Sequence, residues 1–474
     1  MTGSKPGLEA GRARGAKATT PACALVVGVL GAVFAVACSG AGSDAGPGTT
    51  GATGGSAGGG TGGEGAGGAG GGVGPACAPL AAASGTILSV TPADVGSLQA
   101  IVAGAQPGDT IALADGSYPL GGQYLWIGSP GVTLRSASGH RDAVVLDADY
   151  QTTEIVTIAA SNVTVAELTL ARAGTHAIHV VTSGADTTGT RIHDVHVVDP
   201  REQGIKVNPS GDGFYADHGI LACSLLELTD AGRPEVQPNP GGCYTGGIDA
   251  HAARGWVVRD NRITGFWCDT GLSEHAIHFW RGSRDTLVER NVLVDDARGV
   301  GFGLETSGTA RTYADAPCPA AQGAYVDHYG GVVRNNFVAA GSAGLLASPS
   351  GFDCGICLWS ACGAEVVHNS VTSTGANFSS IEWRFAGSVG VDVTNNLGTH
   401  DLRERDGASA TQAGNLSPAP LALFVGPASG DLHLAPSASA AIDQGVAVVP
   451  GICDEDIDGE ARAGTRDLGA DERP

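Results

Sequence analysis

Gly204-Ile205-Lys206-Val207-Asn208 is one copy of a short pattern that recurs along the chain. Further copies are Ala177-Ile178-His179-Val180, Gly247-Ile248-Asp249-Ala250, Ala276-Ile277-His278-Phe279, Gly299-Val300-Gly301-Phe302, Gly344-Leu345-Leu346-Ala347 and Ser380-Ile381-Glu382-Trp383. Each runs small, apolar, variable, then apolar or small. Such alternation marks a strand with one buried face. If the copies stack in parallel, their variable residues form an outward column: His179, Lys206, Asp249, His278, Gly301, Leu346 and Glu382. Two residues further on, a second column reads Val181, Asn208, His251, Trp280, Gly303, Ser348 and Arg384.

A second element repeats beside the first: Val258-x-x-Asn261-x-Ile263, Val288-x-x-Asn291-x-Leu293, Val333-x-x-Asn336-x-Val338 and Val366-x-x-Asn369-x-Val371, continued by Val393 and Asn396. Earlier turns keep the apolar frame around Leu168, Val195 and Cys223. Successive register positions lie 27, 28, 38, 30, 45, 33 and 27 residues apart. A coil of somewhat over 20 residues with insertions explains these intervals. The outward strand follows at a near-constant distance, so two patterns share one phase, as in a solenoid. The asparagines are expected to form a ladder, each side-chain amide bonding the coils above and below. An eight-stranded α/β barrel would need helices between its strands, and long amphipathic runs are missing. The excess length falls in loops at about 229–246, 266–275, 306–328 and 348–363.

Pro92 to Val102 reads as a short helix with Val95, Leu98, Ile101 and Val102 on one side. Pro107-Gly108-Asp109-Thr110-Ile111 and Asp115-Gly116-Ser117-Tyr118 follow it. This sequence resembles the N-terminal cap of right-handed parallel β-helix proteins, a group that includes pectate-lyase-like enzymes and chondroitinase-B-like and alginate lyases. The tail resembles the terminal segment of bacterial β-helix surface proteins in Ala441-Ile442-Asp443-Gln444-Gly445, Asp456-Ile457-Asp458-Gly459 and Asp467-Leu468-Gly469-Ala470-Asp471. The resemblance covers residues 85–474. It implies an all-β fold, a right-handed parallel β-helix with a capping helix and long loops on one side. The expected organisation is a leader over 1–38, a linker over 39–76, a β-helix over 77–420 and a tail over 421–474.

The formal charge is −22, and −25 once residues 1–37 are set aside. Such an acidic chain is not built for nucleic acid, where phosphate contacts supply most of the affinity. Lys5, Arg12, Arg14 and Lys17 precede an apolar run from Leu25 to Val36, too short for a confident membrane span. The run ends in Ala35-Val36-Ala37-Cys38, which resembles a lipobox. It implies export, with a lipid on Cys38 anchoring a monomer to the cell envelope; an ordinary cleaved signal peptide is the alternative. Residues 39–76 are nearly all Gly, Ala, Ser and Thr, a flexible composition. In an exported chain, cysteines favour disulfides. Cys243 with Cys268, and Cys318 with one of Cys354, Cys357 and Cys362, are the expected pairs. Cys77 and Cys453 complete an even set of eight. Cys223 sits at an apolar coil position and is expected as a buried free thiol. Zinc at Cys354-x-x-Cys357 is a rival.

The outward columns bring together residue types that suit sugar chemistry. Lys206 stands between His179 and Asp249, with His278 next, and Asn208, His251 and Trp280 beside them. Gly301 and Gly303 should leave a depression against Trp280, and a flat ring beside a depression suits a sugar. Arg281, Glu382 and Arg384 extend the face. A lyase acting on a uronate needs a base and a partner for the enolate charge. Lys206, His179 or His278 is the candidate base; Arg281, Arg298, Arg384 or a bound calcium is the candidate neutraliser. Chondroitinase-B-like lyases use a lysine, an arginine and calcium on this type of face, but their metal cluster has no counterpart in this sequence. Glu274 and Glu305 are the loose oxygen candidates, and Asp454-x-Asp456-x-Asp458-Gly459 resembles the start of a calcium loop. The expected partner is therefore an acidic polysaccharide, cleaved by β-elimination. A non-catalytic adhesion solenoid is the alternative. A hydrolase ranks third, since Asp249 has no carboxylate neighbour in the column.

Overall fold

A computed structural model describes residues 77–239 and 242–473. The leader, Cys38 and the linker lie outside the described residues. Three long parallel sheets wrap the chain into a right-handed β-helix. Sheet 1 has 12 strands, from Ile87–Val90 to Ala410–Ala413. Sheet 2 has 10, from Leu125–Ile127 to Leu402–Arg405, and sheet 3 has 10, from Gly116–Pro119 to Leu397–Gly398. Each coil visits sheet 1, sheet 3 and sheet 2 in turn.

The register of sheet 2 follows the repeat. Ile178, Ile205, Ile248, Ile277, Val300, Ile356 and Ile381 are stacked neighbours with no exposed surface. Removing these branched chains from water is what holds successive coils together. His179, Lys206, Asp249, His278, Gly301, Cys357 and Glu382 stack on the opposite face. One rung differs from expectation. Gly344-Leu345-Leu346-Ala347 lies in a short helix, α2 (Ala343–Ala347), capped by the Ser342 hydroxyl. Its small-apolar-apolar-small order suits one helical turn as well as a strand. The true rung is Phe352–Trp359. Cys357 and Trp359 therefore take the places expected for Leu346 and Ser348, and the insertion is 341–351 rather than 348–363.

The corner between sheets 1 and 3 is a left-handed bend at Glu167, Asp194, Cys223, Asp260, Arg290, Asn335, His368 and Asn395, with φ between 50° and 60°. The next residue forms the ladder. Nδ2 of Asn261, Asn291, Asn336 and Asn369 each donates to Oδ1 of the next asparagine, at 2.9–3.0 Å, ending Asn396 to Asn415. Ser224 precedes Asn261 in the ladder, its amide donating to Oδ1 of Asn261 at 2.9 Å. The register position is thus Ser224, one past Cys223. Cys223 is not free: it is bonded to Cys77. Cys243–Cys268 and Cys318–Cys362 pair as expected, Cys354 is bonded to Cys357, and Cys453 is the free, buried thiol.

At the N-terminal end a 3-10 turn (Pro92–Ser97) runs into α1 (Leu98–Gly104). Leu98 and Val102 are buried, and Val95 and Ile101 pack partly on the core. At the other end the chain folds back. Leu423, Phe424, Leu432, Leu434, Ile457 and Leu468 pack on Val292, Val294, Phe337 and Leu397 of sheet 3. Asp456 is held by protein donors: Oδ1 accepts from the amides of Asp458 and Glu460, and Oδ2 from Glu472. No helix among the described residues is long and apolar enough to cross a membrane.

Three insertions, at 229–245, 265–276 and 341–351, occupy the corner that precedes sheet 2; the fourth, at 303–327, follows it. All four therefore border sheet 2, on two edges rather than one.

Candidate functional site

Two of these insertions reach the outer face of sheet 2, through Tyr244 and through Glu274 and His275, and its column is charged yet mostly buried. Lys206 is 5% exposed and Asp249 1%. The Lys206 ammonium donates to Asp249 Oδ2, to the Tyr244 hydroxyl at 3.1 Å and to His251 Nε2 at 3.0 Å. Burial alone would lower the Lys206 pKa; the Asp249 charge and Tyr244 outweigh it, and the pKa is raised. For Asp249, burial pushes up, but the Lys206 charge holds the carboxyl well below its usual range. The pair is thus an ion pair at neutral pH, closed by the Trp280 indole donating to Asp249 Oδ1 at 2.7 Å. A lysine with its three protons committed and its pKa raised has no lone pair for proton abstraction.

His278 has no exposed surface, and its Nε2 meets the carbonyl of Gly303 at 3.3 Å. Both Asp249 and Glu274 approach its Nδ1, at 3.6 and 3.2 Å. Asp249 therefore does have a carboxylate neighbour, brought in by the insertion at 265–276, although its own burial keeps it from a polymer. The depression expected at Gly301 is filled. A Cβ there would meet the His275 ring at 2.6 Å, and one at Gly303 would meet the Trp359 carbonyl at 1.9 Å. Glycine at these rungs admits protein, not ligand. Trp280 is 8% exposed, held between the stacked His278 ring and the edge-on His251 ring. Glu382, 1% exposed, accepts from the Trp359 indole at 2.5 Å and from Arg405 at 3.2 Å.

The accessible part of the face is its rim. His179 is partly exposed, its Nε2 2.6 Å from Asn208 Oδ1 and its Nδ1 3.4 Å from Glu154. An imidazolium satisfies both oxygens. A neutral ring satisfies Glu154 by donating Nδ1–H; with the Asn208 amide turned over, Nε2 then accepts the Asn208 N–H, a bond that must open before that lone pair can take a proton. His251 is neutral at pH 7, because burial lowers its pKa more than Asp249 raises it. Its Nε2 accepts from Lys206, so the ring proton sits on Nδ1. Arg281 stacks on Trp280 at 4.5 Å and reaches Glu305 only at 3.7 Å. Arg384 is paired with Asp406 at 2.5 Å and lies over Phe385. Sequence reasoning missed Glu154, Tyr244 and Trp359. Gly355-Ile356-Cys357-Leu358-Trp359 carries the rung pattern and could have revealed the last. The two carboxylates flanking His179 and His176, Glu154 and Glu202, fall short of the six to eight oxygens that calcium takes.

Fold and face together define a right-handed parallel β-helix with a polar, loop-covered second sheet. Among solved structures the chain is similar to the pectate lyase Pel9A, at 15% identity and a TM-score of 0.50, over 82% of this chain and 97% of that one. It is also similar to PfbA, a surface adhesin of Streptococcus pneumoniae (12% identity, TM-score 0.41, 70% of this chain and 89% of that one). An alginate lyase from Paenibacillus sp. gives 12% identity and a TM-score of 0.33, over 69% and 97%. At these identities the likeness to the pectate lyase speaks to fold, and the two looser ones carry no argument. No protein-family model matches the chain, and no curated protein matches it in sequence.

Proposed function

We propose that this chain acts on an acidic, uronate-containing polysaccharide along the rim of sheet 2 and cleaves it by β-elimination. The observation behind this reading is His179, partly exposed and oriented by Glu154 and Asn208. With its contact to Asn208 opened, a neutral His179 takes the proton beside the uronate carboxylate; the electron pair forms the new double bond and expels the glycosidic oxygen, which takes up a proton from water to leave as a hydroxyl. Lys206 stands one rung on, as the cation nearest in the column for the developing charge. The Nδ1–H of His251 and the stacked guanidinium of Arg281 contact sugars further along, rungs being about 4.8 Å apart. Lys206 moves from base to fixed charge in this scheme.

A non-catalytic adhesion solenoid is the second reading. The burial of Lys206, Asp249, His278 and Glu382 favours it, because it leaves few column residues for a polymer to touch. The two separate cleanly. The purified chain is incubated with alginate, pectate and chondroitin sulfate, with and without calcium, and unsaturated uronate is followed by its ultraviolet absorbance. Product from wild type and none from His179→Ala supports cleavage. Saturable binding with no product from any polymer supports adhesion and removes the lyase reading. The chain is further proposed to be exported, which its disulfides fit, and anchored through Cys38. Labelling with a radioactive fatty acid should be lost in Cys38→Ala; unchanged labelling rejects that anchor.

A further inference from the structure

Beneath the insertion at 265–276, three side chains converge with unmatched polar atoms. His275 has no exposed surface, and neither of its ring nitrogens has a hydrogen-bond partner among the described residues. The same holds for Oε2 of Glu274 and Nδ1 of His278, which lie 3.2 Å apart but are misaligned for a hydrogen bond. One ligand atom from each of the three residues falls within 4.8 Å of the other two. Leaving a buried polar group unmatched costs about 1–3 kcal/mol, and here four such atoms sit together. The local structure favours this convergence. The His275 ring lies over Gly301, a rung without a side chain, and packs 4.4 Å from the His278 ring. His278 Nε2 meets the Gly303 carbonyl, which places its proton there and leaves the Nδ1 lone pair facing Glu274. A ring nitrogen fixed by a backbone carbonyl on its far side is the usual state of a metal-bound histidine. Two acceptors facing each other at that separation need a positive charge between them.

We infer that Glu274, His275 and His278 form a binding site for a divalent transition metal of the zinc class. Two imidazoles and one carboxylate suit zinc or cobalt rather than calcium, which prefers an all-oxygen shell. Three protein ligands leave one tetrahedral position for water or another oxygen. Glu274, the most exposed of the three, lies on the solvent side and provides the way in. The other triad of this kind among the described residues, His433 with Asp458 and Asp471, differs. There both histidine nitrogens already meet carboxylates, Asp431 at 2.6 Å and Asp458 at 2.9 Å, so the charges are satisfied internally. The zinc site stands apart from the polysaccharide reading, since none of its three ligands takes part in the proposed cleavage.

The test uses the untagged full chain, loaded with zinc or cobalt and dialysed exhaustively. Elemental analysis should find one zinc per chain in wild type. Affinity measured against a chromogenic chelator should fall at least about tenfold in Glu274→Gln and in His275→Gln. Cobalt should give the visible absorption bands of a four-coordinate site in wild type only. Glu274→Gln guards against misfolding, because its side chain is partly exposed and already lacks a partner at Oε2; its circular dichroism should match wild type. Zinc retained equally by wild type and both variants places the metal elsewhere and overturns the inference. Absence of zinc from wild type overturns it too.

Discussion

Two columns of polar residues run along successive coils of this molecule, and they are buried in opposite ways. At the corner between sheets 1 and 3, each asparagine repeats its neighbour's bonds: Asn336 donates to Asn369 and to the carbonyls of Val288 and Arg334, and accepts from Asn291. The outer face of sheet 2 has no such repeat. Its rungs are lysine, aspartate, histidine, glycine, cysteine and glutamate, and several atoms stay unmatched. Identical side chains at fixed spacing satisfy one another by translation. Different side chains cannot, so they pair with unlike neighbours on the sheet, as Asp249 does with Lys206 and Trp280, or with an insertion residue such as Tyr244. The contrast separates polar burial that builds the stack from polar burial that leaves room for a ligand.

The largest effect should come from breaking the ion pair. Asp249→Ala strands the Lys206 charge, and urea denaturation should show a loss of about 3–5 kcal/mol. A loss under 1 kcal/mol would mean that solvent reaches Lys206 and that the column is open. The ladder should follow. Asn336→Ala leaves donors and acceptors unmatched in three coils, at about 3 kcal/mol by the same measurement. If it matched an exposed substitution, the two columns would not differ in kind. Cys268→Ser opens a link across 25 residues and should cost about 2–4 kcal/mol by thermal denaturation, loosening the insertion over His275.

Acid should sharpen the comparison further. Burial lowers His176 and His328 to about 3 and His368 to about 2, and holds His275 well below its usual value. All four have lowered folded values, so below about pH 6.5 the unfolded chain binds more protons and stability falls with pH. Each group costs up to about 1.4 kcal/mol per pH unit until its own folded value is reached. His433 has the opposite sign. Asp458 raises it to about 9, so its contribution is complete below pH 6.5 and fades as the pH rises through 9. Chemical denaturation at pH 7 and pH 5 should show the net loss, smaller in His328→Phe. The smallest effect belongs to Arg281→Ala, with stability within about 0.5 kcal/mol but weaker retention on an immobilised uronate polymer.

The periodic parts of this fold were legible because a solenoid writes its spacing directly into the chain. The asparagine ladder and the rungs at Ile205, Ile248 and Ile277 are read from phase alone. The failures share a cause. At α2 a pattern four residues long fitted two conformations, and only longer context separates them. At Cys223 the apolar run from Ile220 to Leu226 fitted two registers one residue apart, and Ser224, which follows the left-handed bend as in the other coils, is the ladder position. What covers sheet 2 was not legible at all. The contact of His275 with Gly301, and of Tyr244 with Lys206, depends on how insertions fold over a neighbouring coil, which no repeat encodes. Side chains that a repeat assigned to solvent were thereby closed in.

The bond from Cys77 to Cys223 spans 146 residues and reaches past the opening turns of the stack. Mechanical load applied ahead of Cys77 therefore enters the molecule near its middle. The intervening turns, α1 included, lie inside the covalent loop, and that load bypasses them. Shear on the rest of the body is borne by parallel strands from Cys223 onward, and reduction of that one bond would move the point of attack to the first strand, Ile87–Val90.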